Sequence, residues 1–376
     1  MKIVHVYKDY YPPTVGGIEQ TAERLAVQMV RRGAEVTVLT SHPKVKKTVE
    51  EKIDGVRIIR CAEWGRALSA PFCPDMPYQM SRLRADLWHL HYPSPPGEVS
   101  WLTVRPRGGM VVTWHGDITR QKFALPVYRH IVQALLREAD AVMQTYERQA
   151  DVSPILRDFK HKCHVVPLGI ELDAFERRPE HAGFAAELRA RYGSPIVLSV
   201  GRLVGYKGID VLLEAASRIE GKVLIVGGGP EAERLKAKAA GMVLGDKVVF
   251  IGRVEPAKVI HYVSAADVGV LPSIAPQETF GLSMVEMMAH GLPVVCTELN
   301  TGTSFVNQHG ESGLVVTPGN PVALADAINQ LLRDETLRRR LGQGAADRSH
   351  RLFSTDAMMR GVIDVYESVL QRKRAA

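Results

Sequence analysis

Two doubly wound α/β domains in tandem are predicted from three observations. The chain has 376 residues, more than one hydrophobic core usually serves. Short apolar, β-branched runs alternate with amphipathic helical stretches along its length, and strand, helix, strand order forces parallel pairing through right-handed crossovers. The alternation breaks at PLGIELDAFERRPEHAGF (167–184), where Pro, Gly and charged residues replace both signals and suggest a linker. The expected domains are residues 1–170 and 185–354. A C-terminal helix at about 355–376 has no destination fixed by the sequence, packing back on the first domain being one option.

In chain order, KIVHV (2–6), EVTVLT (35–40), DLWHLH (86–91), MVVTW (110–114), AVMQT (141–145) and CHVVP (163–167) read as buried strands, with IEQTAERLAVQMVRRG the first strong helix. The second series is PIVLSVG (195–201), KVLIVGG (222–228), KVVFIG (247–252), DVGVLPS (267–273), PVVCT (293–297) and GLVVTP (313–318). No run approaches the roughly 18 apolar residues of a membrane span. The start, MKIVHVYKDYYPP, reads as a strand rather than a secretory signal, so a cytoplasmic protein is expected. Four cysteines lie without a close pair, which argues against a disulfide framework or a zinc site.

The net charge of +7 implies attraction to nucleic acid, acidic lipid headgroups or a phosphorylated small substrate. No nucleic-acid module is visible and the basic residues are mostly dispersed, so nucleic acid is set aside. In open parallel sheets, ligands bind beyond the carboxyl ends of strands. VGGIEQ (15–20) carries Gly16 and Gly17 just before a helix, where backbone can approach a ligand, although such pairs often only shape a turn. GRLVGYKG places Arg202 and Lys207 in one loop, within reach of two phosphates, although cations in such loops are often merely solvated. GGGP (227–230) is an incomplete dinucleotide fingerprint. A histidine at a strand end, such as His115 in TWHGD, is by itself more often inert. His89 and His91 share a strand face and suggest metal, but no nearby third ligand is evident.

PQETFGLSMVEMMAHG holds Glu278 and Glu286. With Phe280 to Ala289 helical at about 1.5 Å per residue, these acids stand roughly 12 Å apart along the axis. That exceeds the about 5–9.5 Å of a hydrolytic carboxylate pair. The interval suits the two ends of a nucleotide sugar, with the helix N-terminus at the diphosphate between them.

SIAPQETFGLSMVEMMAHGLPVV, with Glu, seven residues, Glu, resembles the signature of retaining glycosyltransferases with two Rossmann-like doubly wound parallel-sheet domains facing across a cleft, the GT-B architecture of family 4 (glycosyltransferase group 1). GRLVGYKGID, VGGGPEAERL and YPPTVGGIEQ match further blocks in order, so the resemblance covers nearly the whole chain. HVYKDYYPPTVGGIEQ and LNTGTSFVNQHGESGLVV resemble bacterial O-antigen mannosyl and D-rhamnosyl transferases. The resemblance implies that Arg202 and Lys207 bind the donor diphosphate, that Glu286 holds the ribose, and that Glu278 with the backbone of Phe280, Gly281 and Leu282 grips the donor sugar. It further implies that Gly16 and Gly17 approach the phosphates, that His115 lies beside the reacting sugar, and that Arg253 and Val254 face the base.

The expected reaction is retaining hexosyl transfer from a nucleotide sugar, a GDP-sugar by likeness, to a lipid-linked or oligosaccharide acceptor. No cofactor or metal is expected, since no Asp-x-Asp occurs and Arg202 and Lys207 would replace the metal. Transient attachment to the anionic inner face of the cytoplasmic membrane is expected too. A UDP-sugar donor, or a sugar-nucleotide epimerase of the same architecture, remains an alternative.

Overall fold

A computed structural model describes residues 1–13, 16–67, 70–118, 125–242 and 244–375. The chain forms two compact units, residues 1–167 with 358–376, and residues 168–357. In the first unit the strands are β1 (Lys2–Val6), β2 (Glu35–His42), β3 (Val49–Ile53), β4 (Val56–Ala62), β5 (Gly65–Ala67), β6 (Ala70–Phe72), β7 (Leu87–Tyr92), β8 (Gly109–Trp114), β9 (Ala141–Gln144) and β10 (Cys163–Val165). Eight of them form one sheet in the order β10-β9-β8-β7-β1-β2-β4-β3, parallel except for β3. The order reverses between β1 and β7. Strands buried on both faces need to be apolar on both: Val4, Val6 and Leu90 pack into one core, while Ile3, Leu87 and Val111 pack into the other with Met359 and Tyr366 of the C-terminal helix Thr355–Ala375.

The second unit holds β11 (Ile196–Val200), β12 (Lys222–Val226), β13 (Val248–Gly252), β14 (Val268–Leu271), β15 (Val294–Thr297) and β16 (Gly313–Val316). They form a fully parallel sheet ordered β13-β12-β11-β14-β15-β16, whose order reverses between β11 and β14. Ligands of such sheets sit at that reversal.

The stretch 168–184 is not a free linker. Ile170 and Leu172 are buried in the second core, and Ile170 exchanges backbone hydrogen bonds with Phe353 and Thr355. The β3–β4 hairpin was also absent from the sequence reading. Its two-residue turn has Asp54 at φ 50° and Gly55 at φ 83°, the pairing that suits the twist of a tight hairpin.

Candidate functional site

Lys207 and Glu278 meet at the strand reversal of the second unit, whereas Arg253 and Val254 follow the edge strand β13; glycines let the loops at the reversal touch backbone to backbone. Gly208, at φ 66°, starts the helix Ile209–Ala216, and a Cβ on it would fall 2.0 Å from the Pro272 carbonyl oxygen after β14. The Ile274 N–H donates to the Tyr206 carbonyl at 2.8 Å. This holds the GRLVGYKG loop against the β14 loop, and Lys207 Nζ meets Glu278 Oε2 at 2.6 Å. The Ser273 hydroxyl donates to the same oxygen at 2.9 Å. Thr301 donates to the Glu278 carbonyl at 2.7 Å, and Thr297 to that of Ser273. Glu278 is 7% exposed. The sequence reading assigned Lys207 and Glu278 to different parts of a ligand; the structure joins them as an ion pair, and the hydroxyls that fix it were missed. Ser273 lies two residues past β14 and Thr301 lies within LNTGTSF, so position was the only available signal.

The helix runs from Leu282 to Ala289, which corrects the expected start at Phe280. Gly281 precedes it at φ 87°, a left-handed conformation that cannot continue a helix, so the 12 Å estimate does not apply to Glu278. The Phe280 side chain lies in the core, edge-on to Phe353 at 5.7 Å, leaving only its backbone for a ligand. The N–H groups of Phe280, Gly281 and Leu282 make no hydrogen bond to another described residue, and the buried Ser283 hydroxyl beside them also lacks a partner among the described residues. Met284, Val285, Met287 and Met288 fill the core, while Glu286 stays half-buried with Leu282 and Ser283 on the other stripe of the helix. Arg202 and Arg253 are exposed, and neither forms an ion pair among the described residues. Val254 is half-buried. Glycines explain the GGGP loop structurally: a Cβ on Gly227 or Gly229 would strike the Gly201 or Leu203 carbonyl at 1.9 and 2.3 Å.

In the first unit, Gly16 is extended and Gly17 opens the helix Gly17–Arg31. A Cβ on Gly16 would fall 2.2 Å from Glu19 Oε2. The Glu19 carboxylate accepts from its own backbone N–H and so lies beside the glycine pair; Val15 lies outside the described residues.

His115 is buried at 4% exposure, and its Nε2 lies 3.1 Å from His91 Nδ1. His91 Nε2 lies 3.1 Å from His5 Nδ1. His89 bonds Tyr366 Oη and Thr113 Oγ1, both at 2.6 Å. The third histidine that the sequence reading found wanting is His5, from β1. The nitrogens of His5, His89 and His91 lie within 4.8 Å of one another, but His5 Nδ1 and His91 Nε2 already point at each other, and the His89 and His91 rings stack at 4.4 Å. Stacked rings send their in-plane lone pairs side by side rather than to one point, and the His89 and His91 nitrogens are already bonded. The cluster fits a hydrogen-bonded file better than a metal.

Burial pushes His5 and His115 down to about 3 and His89 and His91 well below their ordinary value. Between about pH 3 and 6.5 the unfolded chain therefore binds protons that the folded chain refuses, and stability falls as pH falls through 6.5. Glu98, raised by burial to about 7, acts oppositely between its ordinary value and 7. Four buried imidazoles, with His290 lowered to about 4 by burial as well, outweigh one acid, so a net loss of stability is expected from pH 7.5 to 5.5. Thermal melts check this; an equal or higher Tm at pH 5.5 would contradict it.

Residues 15–174 match the family described as Glycosyltransferase Family 4, and residues 184–348 the one described as Glycosyl transferases group 1. The chain is 32% identical to the O-antigen chain mannosyltransferase C of Escherichia coli, over 99% of this chain and 100% of that protein. It is 31% identical to the D-rhamnosyltransferase WbpZ of Pseudomonas aeruginosa, over 94% and 92%. Among solved structures, sucrose-phosphate synthase from Thermosynechococcus elongatus superimposes with a TM-score of 0.81 at 24% identity over the full length of both chains. Anabaena HepE in complex with UDP does so with 0.79 at 19%, over 98% of this chain and 100% of that one.

Proposed function

Since the chain belongs to the group 1 and family 4 glycosyltransferases, we propose that it is a retaining hexosyltransferase that moves mannose or D-rhamnose from a GDP-sugar to a hydroxyl of a growing lipid-linked glycan, as in O-antigen assembly. That it is a glycosyltransferase of the GT-B class follows from the relatives and the fold; donor, stereochemistry and acceptor are the proposal. The names of the mannosyl and rhamnosyl relatives support the sugar.

One observation carries the mechanism: the buried Lys207–Glu278 pair with Ser273 at the reversal of the second sheet. As the anomeric carbon becomes oxocarbenium-like, the departing diphosphate gathers charge. Arg202, Lys207 and the free N–H groups of Phe280, Gly281 and Leu282 are donors suited to stabilise it. Glu278 accepts from the hydroxyls of the donor sugar and Glu286 from those of the ribose, while Arg253 and Val254 border the base. In this reading side chains replace a metal, Gly16 and Gly17 serve the donor, and His115 has the role beside the reacting sugar that the resemblance implies.

The test incubates the protein, in EDTA, with GDP-, UDP- and ADP-linked mannose, rhamnose or glucose and an oligosaccharide acceptor. Thermal shift reads donor binding and the product anomer reads stereochemistry. A GDP-sugar should raise the Tm and give retained configuration. Inverted product, or transfer only with divalent metal, overturns the mechanism. A UDP-sugar preference would instead favour the second reading, motivated by the solved HepE complex with UDP-glucose. Conversion of donor without acceptor would mark an epimerase.

No helix among the described residues is long and apolar enough to cross a membrane. Peripheral attachment is part of the proposal, supported by exposed aromatic and basic side chains of the first unit. Trp64, Phe72 and Tyr78 are 76%, 62% and 54% exposed. His42 pairs with Ala62, so the loop bearing Lys44, Lys46 and Lys47 leaves the sheet beside Glu63 and Trp64. These lysines are exposed and make no ion pair with a described residue, and each adds about 1 kcal/mol at an anionic surface. Co-sedimentation should favour phosphatidylglycerol vesicles and fall in W64A/F72A. Equal binding to neutral vesicles would refute the attachment.

A further inference from the structure

We propose that His5 and His91 are positioning residues that fix the tautomer of His115 through a file of imidazole hydrogen bonds, making His115 a neutral donor at Nδ1. The inference rests on the role proposed above for His115, but the file itself is a matter of geometry. β8, β7 and β1 lie side by side, so parallel strands present one ring each in a row. The His5 and His91 rings are 19° from parallel, those of His91 and His115 15°. Each of the two contacts, both 3.1 Å, needs one proton between two nitrogens, and a neutral imidazole carries one N–H.

Only two arrangements satisfy both contacts. In one, His115 donates from Nε2 to His91, which donates from Nε2 to His5; the remaining proton then sits on His5 Nε2, a buried atom with no partner among the described residues. In the other, His5 donates from Nδ1 to His91 and His91 donates from Nδ1 to His115. His5 Nε2 is then a bare lone pair, and the N–H left over is His115 Nδ1, which makes no hydrogen bond to another described residue. An orphaned buried N–H is rarely tolerated in folded proteins; His5 Nε2 is fully sealed whereas His115 Nδ1 is not among the sealed unpartnered atoms, so the second arrangement is chosen. His89 cannot compete, since Thr113 and Tyr366 occupy both of its nitrogens. Desolvation holds the whole file neutral. A neutral N–H donor can bind a sugar oxygen without setting a second positive charge beside an oxocarbenium-like centre. The two distant imidazoles act by denying His115 its other tautomer.

The experiment is imidazole 15N NMR on the full chain labelled at histidine, pH 7, alongside transfer kinetics. Wild-type His115 is expected to carry its proton on Nδ1. H91F removes the donor to Nε2, so the spectrum should move toward the Nε2–H form and kcat should fall by about 10-fold to 100-fold, with the donor KM changing far less. In H91N the amide replaces the Nδ1–H, and should restore the Nδ1–H signal and most of kcat. An Nε2–H proton on wild-type His115 overturns the proposal, as does unchanged tautomer and kcat in H91F, or stoichiometric zinc in the protein as isolated. If H91F does not fold, the wild-type spectrum still decides. Because that spectrum needs no substrate, Nδ1–H in a protein that transfers no sugar would refute the proposed function while the file stands.

Discussion

K207A should reduce kcat/KM for transfer by at least about 10³-fold, which is the scale of removing one donor from developing anionic charge with further loss from its partner. The partner matters because Glu278 is buried and touches Lys207 at 2.6 Å. Deleting one member of such a pair leaves an uncompensated charge, at a cost of about 3–5 kcal/mol. K207A should therefore lose stability as well as rate. E278Q leaves Lys207 with a neutral neighbour and should lower kcat/KM by about 10²-fold or more. In the double mutant K207A/E278Q the buried charge is gone, so stability should recover beyond the sum of the single changes while transfer stays lost. Melting curves and donor-saturation kinetics on the four proteins separate the two effects. Transfer at the wild-type rate in K207A would remove Lys207 from the site, and additive stabilities would mean the pair is not coupled.

G208A should be the most damaging single-methyl change in the donor-side loop. The new Cβ would meet the Pro272 carbonyl at 2.0 Å, in a backbone conformation of φ 66° that L side chains rarely adopt. Backbone cannot swing aside as a side-chain end can, and strained residues alone cost about 1–3 kcal/mol. A loss of roughly 3 kcal/mol or more is expected, lowering the Tm by about 6–12 °C for a unit of this size, together with weaker donor binding because the same contact positions Lys207. G205A, three residues earlier, is the control. Nothing lies within 4 Å of its Cβ, and its effect should stay within about 0.5 kcal/mol. Equal melting points for the two variants would show that the loops can part without loss.

The strands were legible because a parallel strand covered on both faces must be apolar almost throughout: IVLSV and KVLIV announce themselves. VEEKI did not, since it is an edge strand with four exposed residues; its Asp-Gly turn was the available signal. The candidate cations and acids were legible as residue types at strand ends, but their pairing was not. Lys207 and Glu278 are separated by 71 positions, and sequence carries no rule for which buried acid meets which base. Gly281 inside an apolar run was read as helix, although only a left-handed residue there makes the run stop short. His5 was overlooked because KIVHV was read as a strand and nothing more. A histidine in a strand that must be buried on both faces has to find a polar partner, and here it finds one from a strand 86 residues away.

The return of residues 358–376 to the first unit sets an order on biosynthesis. The first unit's sheet is made early, yet Tyr366, which bonds His89, and the apolar side chains of Met359, Val362 and Val369 leave the ribosome only after the whole second unit. Until then that face of the sheet is covered only in part, by Ala22, Leu25 and Met29 of the first helix, and the second unit, whose residues 168–357 are contiguous, can mature first. Nascent chains arrested before Met358 should accordingly be digested in their amino-terminal half; protease resistance there would show that the sheet closes without its final helix.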